Sequence, residues 1–93
     1  MVNALLIHPD DTVAVALRDL AAGETLAARD ADLGVVATRQ AVPFGHKVAV
    51  RPIAAGTQVI KYGADIGLAT RDIAPGEHVH THNLVSVRGA VQR

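Results

Sequence analysis

A chain of 93 residues with no Cys, one Phe, one Tyr, no Trp and 9 Lys+Arg against 9 Asp+Glu excludes several functions at once. With no net charge nothing steers it to nucleic acid or an anionic membrane, and with so few aromatic rings it has no platform on which bases stack. Disulfide and thiolate chemistry are absent, which suits a reducing cytoplasm, and no stretch approaches the ~20 apolar residues of a membrane span.

The length fits one small domain, which buries roughly 60–70% of the surface that its unfolded chain exposes. The apolar residues are almost all Ala, Val, Leu and Ile, so the core is aliphatic. A core of so little bulk gains from further burial, which points to a homo-oligomer or a partner subunit.

In chain order, residues 1–8 lack a basic stretch and their apolar run stops at His8, so 4–7 reads as a first strand rather than part of a secretion leader. A second strand is predicted over 12–20, where Val13, Val15 and Leu17 alternate with Ala14, Ala16 and Arg18, the period of a half-buried strand. Further strands are predicted near 24–29, 35–41, 46–52, 57–61, 66–72 and 77–87. Residues 30–34 turn one hairpin and Tyr62-Gly63-Ala64-Asp65 another. A helix over 25–33, ended by Gly34, ranks second. Pro9, Pro43 and Pro75 fall in loops or turns, and Pro52 marks an exposed edge. Residues 1–87 form the domain and 88–93 a loose C-terminal tail.

One phrase recurs along this order. Arg18-Asp19-Leu20-Ala21-Ala22-Gly23-Glu24 returns as Arg51-Pro52-Ile53-Ala54-Ala55-Gly56-Thr57 and as Arg71-Asp72-Ile73-Ala74-Pro75-Gly76-Glu77. A looser copy, Arg39-Gln40-Ala41-Val42-Pro43-Phe44-Gly45, carries one extra residue before its Gly. Each copy reads as a strand entering a type II turn, with Pro75 at its second position and Gly76 at its third, where φ is positive. Gly23 and Gly56 hold the same place. Arg18 to Arg51 is 33 positions and Arg39 to Arg71 is 32, the trace of a duplicated unit with two turns in each half. A solenoid would keep one constant period. The fold predicted is mostly β, with internal pseudo-repeats. The repeated Arg residues are expected to pair with acids such as Asp19 and Asp72.

Five His occur, at 8, 46, 78, 80 and 82. On a single strand His78, His80 and His82 point to one face, and alternate residues lie ~6.6 Å apart, so His80 and His82 can share a divalent cation. His78 to His82 is about twice that distance, too far unless the strand bends. The plain alternative is a solvated polar strand face. Gly45-His46-Lys47 follows a rigid turn, and His46 with Lys47 is suited to a carboxylate or phosphate, or else simply keeps the turn soluble. Lys61-Tyr62-Gly63 adds a weaker cation. No Ser/His/Asp order, phosphate-binding Gly loop or paired carboxylates stand out.

The string Gly45-His46-Lys47-Val48-Ala49, then Val59-Ile60-Lys61-Tyr62-Gly63, Ile66-Gly67 and the run from Arg71 to Asn83 resembles the SAF domain of the altronate and galactarate dehydratase family. The departure is Pro52, where the family phrase has Asp. The resemblance implies the SAF-type β-clip fold and a small subunit or N-terminal domain of a lyase. Such enzymes dehydrate a sugar acid, and a relative eliminates sulfite from sulfolactate. It further implies a divalent metal, Fe2+ ahead of Mn2+, shared with a large catalytic subunit, a small hydroxy acid as substrate, and no activity from the small part alone. On this resemblance His80 and His82 are the catalytic and metal residues, and His46, Lys47 and Asn83 bind substrate. The competing expectation is a non-catalytic SAF module that binds a sugar acid or a protein.

Overall fold

The computed structural model describes residues 2–29 and 31–86. The tail expected at 88–93, the end of the strand expected at 87 and Asp30 of the expected turn lie outside the described residues. Within them the chain forms seven short strands and no helix. They are β1 (Ala4–Leu5), β2 (Val13–Ala16), β3 (Lys47–Ala49), β4 (Gln58–Lys61), β5 (Ala64–Ala69), β6 (His78–Val79) and β7 (Leu84–Ser86). Among the described residues no helix is long and apolar enough to cross a membrane.

The strands make two antiparallel sheets, one ordered β1-β2-β3-β6 and the other β4-β5-β7. β2 and β3 alternate their side chains between two cores. Ala14, Ala16, Val48 and Val50 pack with Ala4, Leu20, Leu26, Val36 and Val42, while Val13 and Ala49 pack with Ile53, Val59, Ala69, Ile73 and Val79. Both faces of these two strands are therefore covered. The alternation in β2 predicts a half-buried strand with one face inward; Val13 is buried, but so are Ala14 and Ala16 of the other face, and Leu17 is 41% exposed. The small Ala face lets the neighbouring segments close in, which a larger residue would prevent. Val48, Val59 and Val79 are fully buried, each worth about 1.5–3 kcal/mol of apolar burial.

Two predicted strands are absent. Residues 24–29 and 35–41 run extended but meet only through single bridges, Thr25 to Ala37 among them, with Leu26 N–H donating to Val36 C=O. Side-chain alternation does not by itself make a ladder; here the backbone groups turn to other partners. Ala27 N–H donates to Asn3 Oδ1 and Glu24 N–H to Thr38 Oγ1. The strand predicted over 77–87 is also broken, by a turn at 81–83.

The repeats act in pairs, as their spacing predicts. Leu20 bridges Val42 and Ile53 bridges Ile73, both antiparallel. Gly23, Gly56 and Gly76 have φ of 87, 80 and 91°. The Arg partners differ from expectation: Arg18 pairs with Glu24 at 2.6 Å and Arg71 with Glu77 at 3.9 Å, each the Glu after its own turn. Asp19 and Asp72 instead reach across each pair. Asp19 Oδ1 accepts from Phe44 N–H (2.8 Å) and Asp72 Oδ1 from Ala55 N–H (2.9 Å). An Asp side chain is short enough to cap a neighbouring backbone N–H, whereas an Arg needs the longer reach of Glu.

The N-terminal segment ties the sheets together. Thr12 N–H donates to Ile60 C=O, and Ile60 N–H donates to Thr12 Oγ1. Asp11, 1% exposed, accepts from Gly63 N–H at 2.7 Å and from His8 N–H at 3.1 Å. The β4–β5 turn is Tyr62-Gly63 alone, with φ of 57 and 73°, and Ala64 and Asp65 belong to β5. Two positive φ values are what a two-residue hairpin requires to match the strand twist.

Candidate metal centre

The pairing of β3 with β6 sets the register Lys47 to Val79 and Val48 to His78. Extending it by one residue puts His46 opposite His80, and their rings stack with centroids 4.4 Å apart. His78 lies diagonally across, with its Nε2 2.8 Å from Nδ1 of His46. The ligand atoms of His46, His78 and His80 all fall within 4.8 Å of one another. Nitrogens sharing one ion at ~2.0–2.1 Å stand no more than ~4.2 Å apart, so small ring rotations close this set around a cation.

The grouping differs from the pair expected on a straight strand. β6 ends at Val79, and the turn at 81–83 carries His82 away from His80; its ring meets His78 instead, centroids 5.4 Å apart. The three imidazoles that the fold gathers thus come from the residue before β3, from β6 and from the residue after it, with His82 outside the set and exposed.

Backbone clamps hold the arrangement. Asn83 is fully buried; its Nδ2 donates to His78 C=O and its Oδ1 accepts from His80 N–H, both at 2.9 Å. Expected among the substrate-binding groups, Asn83 stands behind the imidazoles with both ends of its carboxamide engaged. It fixes the spacing of two of the three rings. Gln40 Oε1 accepts from His78 N–H at 2.9 Å. Sequence reasoning did not single out Gln40, and the one signal was its place in the repeat, where the first and last copies have Asp.

Electrostatics favour the ligating form of His78 and His80. Loss of solvent lowers the His78 pKa, and repulsion from His46, His82, His80 and Lys47 lowers it further. His80 is lowered by partial desolvation, then by His46, Lys47 and His82. A neutral imidazole keeps the lone pair that a metal takes. Lys47 is also lowered, by burial first and by Lys61 second.

Beside the imidazoles lies a cavity of about 340 Å³ lined by Lys47, Lys61, Ile66, His80, Thr81, Leu84 and Ser86. It sits where the chain crosses from β6 of one sheet to β7 of the other. His46, Lys47 and His80 are therefore neighbours in space, and Lys61, a weak signal in the sequence, joins them from the second sheet.

The family described as the altronate/galactarate dehydratase SAF domain matches residues 2–87. Altronate dehydratase of Escherichia coli (strain K12) is 53% identical over 77 residues, 83% of this chain and 15% of that protein. Altronate dehydratase of Bacillus subtilis (strain 168) is 40% identical over 83 residues, 89% of this chain and 16% of that protein. The (2R)-sulfolactate sulfo-lyase subunit alpha of Paracoccus pantotrophus is 51% identical over 47 residues, 50% of this chain and 70% of that subunit. The chain thus spans 15–16% of the length of the two dehydratases that it matches.

Proposed function

We infer the function from a family premise: this chain belongs to the altronate/galactarate dehydratase SAF-domain family, and its role is that of the small component of a hydroxy-acid lyase. The observation that carries this reading is the gathering of His46, His78 and His80 within 4.8 Å, beside a cavity that holds two lysines. Three imidazoles suit a divalent cation of the first transition row, Fe2+ ahead of Mn2+, and leave its other positions to substrate and to a larger catalytic part. Such a cation, when bound, draws charge from a chelated carboxylate and hydroxyl and so acidifies the proton beside them. The chain's own residues orient that acid: His46 and His80 flank it, and Lys47 offers an ammonium to its carboxylate. The proton acceptor and the acid that assists the leaving group are assigned to the larger part, because the described residues place no carboxylate in the cavity lining.

A second reading, sulfite elimination from a hydroxy-sulfonate, is favoured by the 70% coverage of the sulfo-lyase subunit alpha. The test is to combine the chain with a large dehydratase component and Fe2+ or Mn2+ and to assay altronate, galactarate and sulfolactate. Turnover only when both parts and metal are present supports the reading. Turnover by the chain alone overturns the division of labour, and a large component whose rate ignores the chain leaves a non-catalytic module.

A further inference from the structure

Tyr62 sits in a backbone conformation that its own side chain makes costly. Its φ is 57°, and among the described residues it alone has a positive φ without being glycine. The first position of a two-residue hairpin turn calls for this conformation, and Gly, Asn or Asp meet it with little strain. A bulky residue is strained there, and such strain persists only where the surroundings hold it. They do so here. The N–H groups of Tyr62 and Gly63 both donate to the buried Asp11 carboxylate. The His8 ring lies so close to Gly63 that an added Cβ would stand 2.9 Å from its Cδ2.

The strained residue achieves a contact that a regular strand forbids. Consecutive side chains of an extended chain point to opposite faces, which would part Tyr62 from Lys61, the last residue of β4. With the left-handed turn, the Tyr62 ring lies under Lys61, whose Nζ stands 4.8 Å from the ring centroid. That is within the range of a cation–π contact. Tyr62 is 52% exposed, so burial does not account for a large ring at this place. Lys61 makes no ion pair with a carboxylate among the described residues, which leaves the ring face to orient its ammonium. Lys61 in turn lines the cavity beside His80.

We propose that Tyr62 is a positioning residue for this cavity: the turn is held under strain so that its ring fixes the Lys61 ammonium in the cavity wall. This rests on the functional reading above and adds to its site a residue that acts only through Lys61.

Proton NMR of the metal-free chain tests the contact apart from that reading. The Hε protons of Lys61 are expected upfield of their random-coil position, shifted by the ring current, and Tyr62→Phe should retain the shift. Tyr62→Asn should abolish it and yet raise the urea midpoint, because relief of backbone strain outweighs one half-exposed contact. A ring that served only as packing would lower the midpoint when removed. In the assembled enzyme, Tyr62→Asn should raise KM for the acid about two- to fivefold with kcat unchanged, the worth of one exposed cation–π contact. In a Lys61→Met background the same substitution should leave KM as it is. An unshifted Lys61, a shift that survives in Tyr62→Asn, a lower midpoint in that variant, or a KM effect that persists without Lys61 overturns the proposal. An unchanged KM in Lys61→Met counts instead against the cavity as the seat of the acid, and the NMR arm still decides whether Tyr62 holds Lys61.

Discussion

Nδ1 of His46 lies 2.8 Å from Nε2 of His78, although 32 positions of sequence separate them. One of these nitrogens donates and the other accepts, so in the metal-free chain the two rings share a single proton along that line. A divalent cation held by both rings would require that proton to move to the other nitrogen of its ring, which frees both facing lone pairs. Replacing His46, His78 or His80 by Ala should each lower Mn2+ affinity by tenfold or more, on the order of one lost ligand. His82→Ala should change it by less than about threefold, since that ring lies outside the set. Metal titration of the four variants checks the order. A loss with His82→Ala that matches the loss with His80→Ala would restore the pair expected from the sequence.

Acid should weaken both the metal site and the metal-free fold. His78 and His80 have folded pKa values lowered from 6.5. The unfolded chain therefore takes up protons first as pH falls below 6.5, and stability drops until the folded values are passed. Above 6.5 the rings are neutral in both states and the effect is absent. Thermal melts of the metal-free chain at pH 7.5 and 5.5 are expected to show the lower midpoint at 5.5. Melts that rise toward acid would rule out the crowding of these rings.

Asn83 positions ligands without touching metal. Asn83→Asp keeps the shape but sets a carboxylate oxygen against the His78 carbonyl, which removes a donor and adds repulsion. The cost is about 1–3 kcal/mol of stability, with a larger fractional loss of metal affinity than of folding. The readout that separates positioning from simple scaffolding is the visible spectrum of the Co2+-loaded chain. A band shape altered in Asn83→Asp at temperatures where the variant is fully folded supports positioning, and an unchanged spectrum removes it.

Two turn glycines should respond differently to the same substitution. Gly23 and Gly76 have φ of 87 and 91°. A Cβ on Gly23 meets nothing within 4 Å, whereas one on Gly76 would stand 2.0 Å from Ala37 C=O. Gly23→Ala should cost about 1–3 kcal/mol through backbone strain alone. Gly76→Ala adds a clash with the main chain of Ala37, which must shift to admit it, and should be the more damaging by urea denaturation. Equal costs would mean that the segment 37–38 does not pack against that turn.

The turns were the most legible part of the chain, because a positive φ leaves its mark in the residue itself: Gly23, Gly56 and Gly76 stand at one place in a repeated phrase. The all-strand character followed from the same punctuation. Strand extents were less legible, since the alternation at 35–41 is shared by true ladders and by extended segments whose N–H groups find side chains. The site was half legible. His80, His46 and Lys47 could be singled out by residue type, but the partnership of His46 with His78 depends on the register of β3 against β6. The break after Val79 depends on Asn83 being drawn inward, and an Asn in a His-rich run reads equally well as a surface group.

Asp11 touches neither an imidazole nor a lysine, yet it gives the domain the character of a caliper. Burial opposes its ionisation, but the N–H groups of Gly63, Tyr62, His8 and Ile7 together hold its pKa below 3.8. With Thr12 it pins the hairpin that ends in Lys61 to the sheet that bears His46 and His78. The strand that carries Lys61 and the sheet that carries the imidazoles are therefore tethered to each other by residues that lie behind both.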